Sequence, residues 1–278
     1  MNRDFQPETC LPLSSCSQLL VAIDAARIAG KLLMDHFHGA MAHREKPGEN
    51  QSHNLVTQAD IDAEQAIAIR IRESFPNHQL LGEEGLTGDL TADDLWVIDP
   101  LDGTNNFAHR IPHFAVSIAY YHLGVATVGV VYNPAHHDWF WATSAGPAMH
   151  NGRPLSVSNE GRLDQALLAC GFYYDRGAMM RATLATIDAF FTQQIHGIRR
   201  MGAAALDLCG VAAGQFGGYF EYKLNPWDFA AGELIVRQSG GKVMTARGAP
   251  LGLTQSSILA TNGLLHSVML ETLLKFHP

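Results

Sequence analysis

Leu95-Trp96-Val97-Ile98-Asp99-Pro100-Leu101-Asp102-Gly103-Thr104-Asn105-Asn106-Phe107 compresses a strand, a break and a helix start into one short run. Leu95 to Ile98 are apolar, with β-branched and aromatic members, and predict a buried strand that stops at Asp99-Pro100. Pro100 presets φ for the second position of a tight turn, so Asp99 and Asp102 take its first and fourth positions and their carboxylates can converge. Like charges that close raise each other's pKa unless a cation lies between them, and a hard divalent ion is the natural complement. Gly103-Thr104 then suits a helix start, whose free N–H groups and positive end would hold a phosphate against that metal. Asp-Pro and Asp-Gly are also ordinary turn dipeptides, and Thr104 alone reads as an N-cap. Two acids, a Pro, a Gly and a Thr directly after a buried strand favour a metal-phosphate site.

Beyond this run, composition sets the bounds. The chain has 278 residues, 47% hydrophobic and 17% charged, which suits one large domain or two moderate ones with a substantial core. Its 27 acidic against 19 basic residues leave a net charge of −8, which disfavours nucleic acid or an anionic membrane as a direct partner. None of the 14 histidines falls in a zinc spacing. Cys10, Cys16, Cys170 and Cys209 are scattered without a Cys-x-x-Cys pair, which fits reduced thiols rather than a zinc ribbon or redox motif. No basic region followed by an apolar run opens the chain and no stretch is long enough to span a bilayer, so a cytoplasmic location is expected.

In chain order, a loose lead-in precedes a helix over Ser17–His38, with Leu20, Ile23, Ala26, Ile28, Leu32, Leu33 and Phe37 as its expected buried stripe. His43 to His53 reads as a mobile loop or hairpin tip. Asn54 to Thr57 predicts a short strand leading into a helix that ends at Phe75, and Asp60 near its start would ordinarily complement the helix dipole. Gly82-Glu83-Glu84-Gly85 suits a loop that approaches a charged ligand closely. Phe114 to Ala142 predicts an antiparallel meander, and turn-rich Gly146 to Pro154 divides the chain into 1–150 and 151–278. Beyond it, five short strands alternate with helices over Ala178–Phe191, Ala203–Ala213, Pro226–Ser239 and Asn262–Phe276, an α/β signature. In Asn225-Pro226-Trp227-Asp228 the proline takes the first helical position and Asp228 the first turn. Ala230, Ala231 and Gly232 would let that helix pack close enough to bring Asp228 onto the Asp99 turn.

Gly82-Glu83-Glu84, the run from Asp99 to Phe107, and Trp227-Asp228-Phe229-Ala230-Ala231-Gly232 together resemble the signatures of the inositol monophosphatase family, in order and separation. The likeness covers nearly the whole chain, and Phe107 to Ser117 with Arg199 to Leu208 is most similar to bacterial members. It implies an α+β or α/β layered αβαβα sandwich of the inositol monophosphatase and fructose-1,6-bisphosphatase type. It also implies a homodimer with Mg²⁺-dependent, lithium-sensitive phosphomonoesterase activity. By resemblance, Glu83, Asp99 and the Leu101 carbonyl hold one Mg²⁺, Asp99, Asp102 and Asp228 a second, and Glu83 a third through water. Thr104 and Asp60 match the pair that orients and deprotonates water. Gly103 and Thr104 match the phosphate-binding amides, and Gly202, Ala204, Glu221 and Asp228 the substrate side. For Glu221 a solvated strand-end acid is the competing reading. Two features depart from the family: Ala203 stands where many members have Ser or Thr, and Gly48 to His53 looks inserted, so Lys46 receives no role.

These readings converge on a Mg²⁺-dependent phosphatase for inositol monophosphate or a similar polyol phosphate, a small-molecule phosphate ester. Fructose 1,6-bisphosphate, histidinol phosphate and 3′-phosphoadenosine 5′-phosphate are alternatives, because a metal site reads phosphate and leaves the alcohol to neighbouring loops. Asn105-Asn106-Phe107 and Glu221 favour inositol. A different class is a regulatory partner of transcription or ribosome-maturation complexes, through Arg199-Arg200 or the surface near Arg153 and Arg162. Short basic groups of that kind are ordinarily solvated surface.

Overall fold

The structure is a computed structural model that describes residues 6–7, 16–39, 43–45 and 55–278. Its first layer is α1 (Ser17–His38) against α2 (Gln58–Ser74), joined through the antiparallel pair β1 (His43–Glu45) and β2 (Leu55–Thr57). Lys46 and the segment Gly48 to His53 lie outside the described residues, as does Cys10.

β3 (Gln79–Gly82), β4 (Asp94–Asp102), β5 (Ala115–His122), β6 (Val125–Asn133), β7 (Asp138–Thr143), β8 (Met149–His150) and β9 (Arg153–Pro154) form a seven-stranded sheet in sequence order. Only β3 and β4 pair in parallel; the rest is the expected meander. β4 is flanked by apolar layers on both faces, which is why it reads as an unbroken apolar run. Trp96 and Ile98 enter the core beneath α1 and α2, while Leu95 and Val97 enter the middle core. Burying side chains of this size is worth roughly 1.5–3 kcal/mol each.

The second sheet has the order β11-β10-β12-β14-β13, built from β10 (Leu167–Cys170), β11 (Gly197–Arg199), β12 (Gly218–Leu224), β13 (Lys242–Met244) and β14 (Ser256–Thr261). Between the sheets lie α5 (Ala204–Ala212) and α6 (Pro226–Gln238), while α4 (Ala178–Thr192) and α7 (His266–Leu274) cover the outer face. The result is the layered αβαβα sandwich, with three cores separated by the sheets. Residues 146–154 finish the first sheet through β8 and β9, and the middle core draws side chains from both sides of position 150. Among the described residues no helix is long and apolar enough to cross a membrane.

Two expectations change. Leu20 and Ile28 of α1 are 42% and 38% exposed. The face α1 presents to the core keeps the expected Ile23, Ala26, Leu33 and Phe37, together with Leu19, Val21 and the small residues Ala22, Ala25 and Ala29, which allow close approach to α2 and β6. The strand also does not stop at Asp99. β4 continues to Asp102 through a bulge, with Asp99 opposite Ser117 and Asp102 opposite Ala115. Pro100, which has no N–H to give the ladder, sits in the irregularity in place of the expected tight turn.

Candidate active site

The bulge puts Asp99 and Asp102 at the exit of β4 with little local freedom. Asp99, 1% exposed, accepts the Leu101 N–H at 3.0 Å. Gly103 follows in the left-handed region, with φ of 92°, and turns the chain into α3 (Thr104–Ala108). A Cβ there would fall 3.1 Å from the His113 carbonyl and 3.2 Å from the Ala203 Cβ, so both the conformation and the approach of the 202–204 loop favour glycine. Thr104 is not the N-cap: Gly103 occupies that place, and Thr104 is the first helical residue. Its hydroxyl faces the Leu101 carbonyl at 3.1 Å and the carboxylate of Asp60 at 3.3 Å. Asp60 is buried in the first turn of α2, so one side chain joins two layers of the sandwich.

The other acids arrive from separate elements. Glu83 follows β3 in a loop pinned by Glu64 of α2, whose carboxylate accepts the Glu84 N–H at 2.8 Å. Asp228 stands in the first turn of α6 and accepts the Asn225 N–H at 2.6 Å, so its capping role is realised. Ala231 of α6 packs on Gly129 of β6 so closely that a Cβ on Gly129 would lie 2.8 Å from the Ala231 carbonyl, which seats the helix deeply. Asp102 accepts N–H groups from Ala204 at 3.1 Å and Ala205 at 2.7 Å. A carboxylate from the first sheet thus caps α5, whose own N-cap residue, Ala203, has no side-chain acceptor.

These residues open onto one cavity of about 150 Å³. Glu83, Asp99, Leu101, Asp102 and Asp228 line one part of it; Gly103, Thr104, Gly202, Ala204 and Glu221 line the rest. Asp60 stands behind Thr104. Glu221 is 7% exposed and accepts the Tyr219 hydroxyl at 2.7 Å, which overturns the reading of a solvated strand-end acid. A Cβ on Gly171 would lie 1.7 Å from the Glu221 carboxylate, so that glycine makes the space in which Glu221 sits.

Sequence reasoning missed Arg200, Asp207, Tyr219 and Lys223, all on the lining. Arg200 is exposed, as expected of solvated surface, but it also lines the cavity and opposes the charge of Asp102, Asp207 and Glu221. Asp207 lies in the first turn of α5, 1% exposed, its carboxyl raised by burial and by Asp102 and Glu221 against the pull of Arg200 and the Gly202 N–H. The signal available for Tyr219, Glu221 and Lys223 was their spacing of two on a strand.

Burial dominates the electrostatics. Desolvation, then repulsion from Glu83, Asp102 and Asp228, pushes the Asp99 carboxyl well up. Asp102 is raised to about 7 by burial, against the pull of the Ala205 and Ala204 N–H groups. Asp228 is raised by burial and by Glu83 and Asp102. Glu221 is raised to about 7 by burial, with the Tyr219 hydroxyl and Arg200 opposing.

Such crowding of desolvated acids calls for a cation. Among the described residues no group of three or more His, Cys, Asp or Glu side chains is arranged so that it could by itself hold a metal ion. Mg²⁺ does not need one, because it keeps several waters and is held by one or two carboxylates together with substrate phosphate. The donor set here is all oxygen, carboxylates and the Leu101 carbonyl, and it fits that ion rather than zinc or copper.

Known proteins share this chain's sequence and fold. Residues 17–276 match the model of the inositol monophosphatase family. The chain is 40% identical over 262 residues to the inositol-1-monophosphatase of Synechocystis sp., covering 92% of this chain and 88% of that protein. It is equally 40% identical over 258 residues to the Nus factor SuhB of Escherichia coli, covering 92% and 95%. Among solved structures, the IMPase of Thermotoga maritima superposes with a TM-score of 0.86 at 31% identity, over 94% of this chain and 98% of that one.

Proposed function

The chain belongs to the inositol monophosphatase family, and on that footing we propose that it is a Mg²⁺-dependent phosphomonoesterase acting on an inositol monophosphate or a similar polyol phosphate. The supporting observation is that β3, β4 and α6 bring four acids to one cavity, with the Thr104–Asp60 pair directly behind it. Glu83, Asp99, Asp102, Asp228 and the Leu101 carbonyl are the groups that would hold Mg²⁺. When bound, the ion supplies Lewis acidity and neutralises charge on the phosphate and the departing alkoxide.

The chain's own residues do the rest. The N–H groups of Gly103 and Thr104, without intrahelical partners at the start of α3, bind phosphate oxygens. Thr104 Oγ1 orients the attacking water, and Asp60, hydrogen-bonded to that hydroxyl, receives the proton it gives up. Glu221, with Gly202 and Ala204 beside it, accepts hydrogen bonds from the hydroxyls of the alcohol. In this reading the protein works in the cytoplasm as a homodimer. The SuhB relative's name supports a regulatory reading; the acid cavity supports the phosphatase.

Asp99→Asn tests the assignment. Hydrolysis of inositol 1-phosphate by the wild type should require Mg²⁺. The variant should lose several kcal/mol of transition-state stabilisation with little loss of folding, because Asn preserves the shape and can still accept the Leu101 N–H. Full turnover by Asp99→Asn, or by wild type freed of divalent ions, would refute it.

A further inference from the structure

The half of α6 away from Asp228 borders a second cavity, of about 390 Å³, which shares no lining residue with the first. It lies where Glu233, Leu234, Arg237 and Gln238 of α6 pass between the β5–β6 hairpin and the loop joining β13 to β14. The hairpin makes the room. At Tyr121 the pairing of β5 with β6 slips, so that Tyr120 faces Val128 while Tyr121 faces Ala126. Ala126 and Gly124, both on the lining, put little bulk against Tyr121. Leu234, Leu251 and Leu253, packed on the middle core, give the cavity an apolar wall.

Two polar groups on the lining lack full partners. Tyr121 is 5% exposed, and its hydroxyl has no hydrogen-bond partner among the described residues. An unpaired buried hydroxyl weighs against the folded state and is normally satisfied by something. Burial, then the charge of Glu233, pushes the Tyr121 hydroxyl well up, so it keeps its proton and is a donor. Glu233 supplies the matching acceptor. Arg237 Nε and Nη2 both donate to Glu233 Oε1, at 2.9 and 2.7 Å, which leaves Oε2 to another donor. Burial raises the Glu233 carboxyl, and the paired guanidinium opposes that rise.

We propose that this cavity is a small-molecule site for a carboxamide carried on an apolar ring, its carbonyl accepting the Tyr121 O–H and its N–H donating to Glu233 Oε2, with the ring on Leu234, Leu251 and Leu253. The donor and acceptor select the class. A carboxylate would satisfy Tyr121 and be repelled by Glu233. An ammonium would satisfy Glu233, be repelled by Arg237 and leave the Tyr121 hydroxyl unpaired. A carboxamide is uncharged and carries both complements side by side. The volume is within the range of small-molecule pockets. The inference stands apart from the phosphatase reading, since nothing in it uses the acid cavity.

The test titrates benzamide, benzoate and benzylamine separately into the full chain at about pH 7, where the second is an anion and the third a cation. Binding is read by ligand-observed NMR and by calorimetry. Benzamide should bind with a Kd on the order of 1 mM, as suits so small a probe, and both charged probes at least about tenfold more weakly. Tyr121→Phe keeps the ring and removes only the hydroxyl. It should weaken benzamide about tenfold without lowering stability to urea, because the group it removes is buried and unpaired. Glu233→Gln removes the repulsion, so benzoate should come within about threefold of benzamide. Mg²⁺ with inorganic phosphate, directed at the acid cavity, should leave the benzamide Kd unchanged. The site is overturned by no binding of benzamide, by benzoate binding as well as benzamide to the wild type, or by an unchanged benzamide Kd in Tyr121→Phe. Unchanged discrimination in Glu233→Gln, or displacement of benzamide by Mg²⁺ with phosphate, overturns it too. Each of these results leaves the phosphatase reading standing, because none of them measures hydrolysis.

Discussion

The two walls of the cavity are built in different ways. The β4 wall carries Asp99, Leu101, Asp102, Gly103 and Thr104 almost consecutively, because a bulge and a left-handed glycine fold the backbone back on itself. The β12 wall carries Tyr219, Glu221 and Lys223 at alternate positions of a strand, and their placement depends on partners from elsewhere. Glu221 needs the space left by Gly171 at the end of β10. The first wall is fixed by local conformation and the second by packing. A side-chain change on β4 should therefore remove chemistry and spare the fold, while a change around β12 should displace a group.

Gly171→Ala probes that contrast with the largest expected effect. The new methyl would fall 2.3 Å from the Glu221 carboxyl carbon, and Glu221 has little buried space to retreat into. Overpacking of this kind costs about 1–3 kcal/mol, measurable by urea unfolding. Displacement of Glu221 should raise KM for inositol 1-phosphate about tenfold or more with a smaller change in kcat, since polyol hydroxyls lose their acceptor. A variant with wild-type stability and KM would show that the β12 wall is not held by packing.

Titration separates the walls next. Asp102 and Glu221 are each raised to about 7, so near pH 5 the folded protein keeps protons that the unfolded chain has lost. That contribution favours the folded state at low pH and is lost as pH rises through about 7. The cation-free protein should thus melt lower at about pH 8 than at about pH 5, by a few degrees. Mg²⁺ should stabilise more at the higher pH, because it competes with protons for the acids. Glu221→Gln should flatten part of the cation-free dependence and leave the Mg²⁺ gain in place. Loss of the Mg²⁺ gain in that variant would mean that the walls do not act separately.

The same contrast explains what the sequence disclosed. The β4 wall was legible because its chemistry is crowded into neighbours that declare themselves as turn, acid and helix start. Its geometry was misjudged by one detail, a bulge in place of a tight turn, since composition does not distinguish two ways of accommodating Pro100. Asp228 was legible through Pro226 and the small residues after it, which do seat α6 tightly on β6. Asp207 and Arg200 were not, because an acid in a helix and a basic pair on a loop look the same whether they face water or a cavity. Glu64, which fixes the Glu83 loop from α2, is equally silent, since its partner lies across the layer.

Ala203 is where the smallest effect carries the sharpest test. It occupies the N-cap of α5 in extended conformation, with φ of −142° and ψ of 104°, where Ser or Thr would normally accept an N–H. Asp102 already accepts the N–H groups of Ala204 and Ala205 from the other sheet. Ala203→Ser should therefore gain less than about 0.5 kcal/mol in the cation-free protein, below the roughly 1 kcal/mol of an ordinary cap. In an Asp102→Asn background, where an amide cannot accept both N–H groups as the carboxylate does, the same serine should gain close to about 1 kcal/mol. That non-additivity, read by urea unfolding of the four proteins, measures the coupling between the walls through α5. Equal gains in both backgrounds would mean that Asp102 does not cap the helix, and that its two short contacts with α5 contribute nothing to folding.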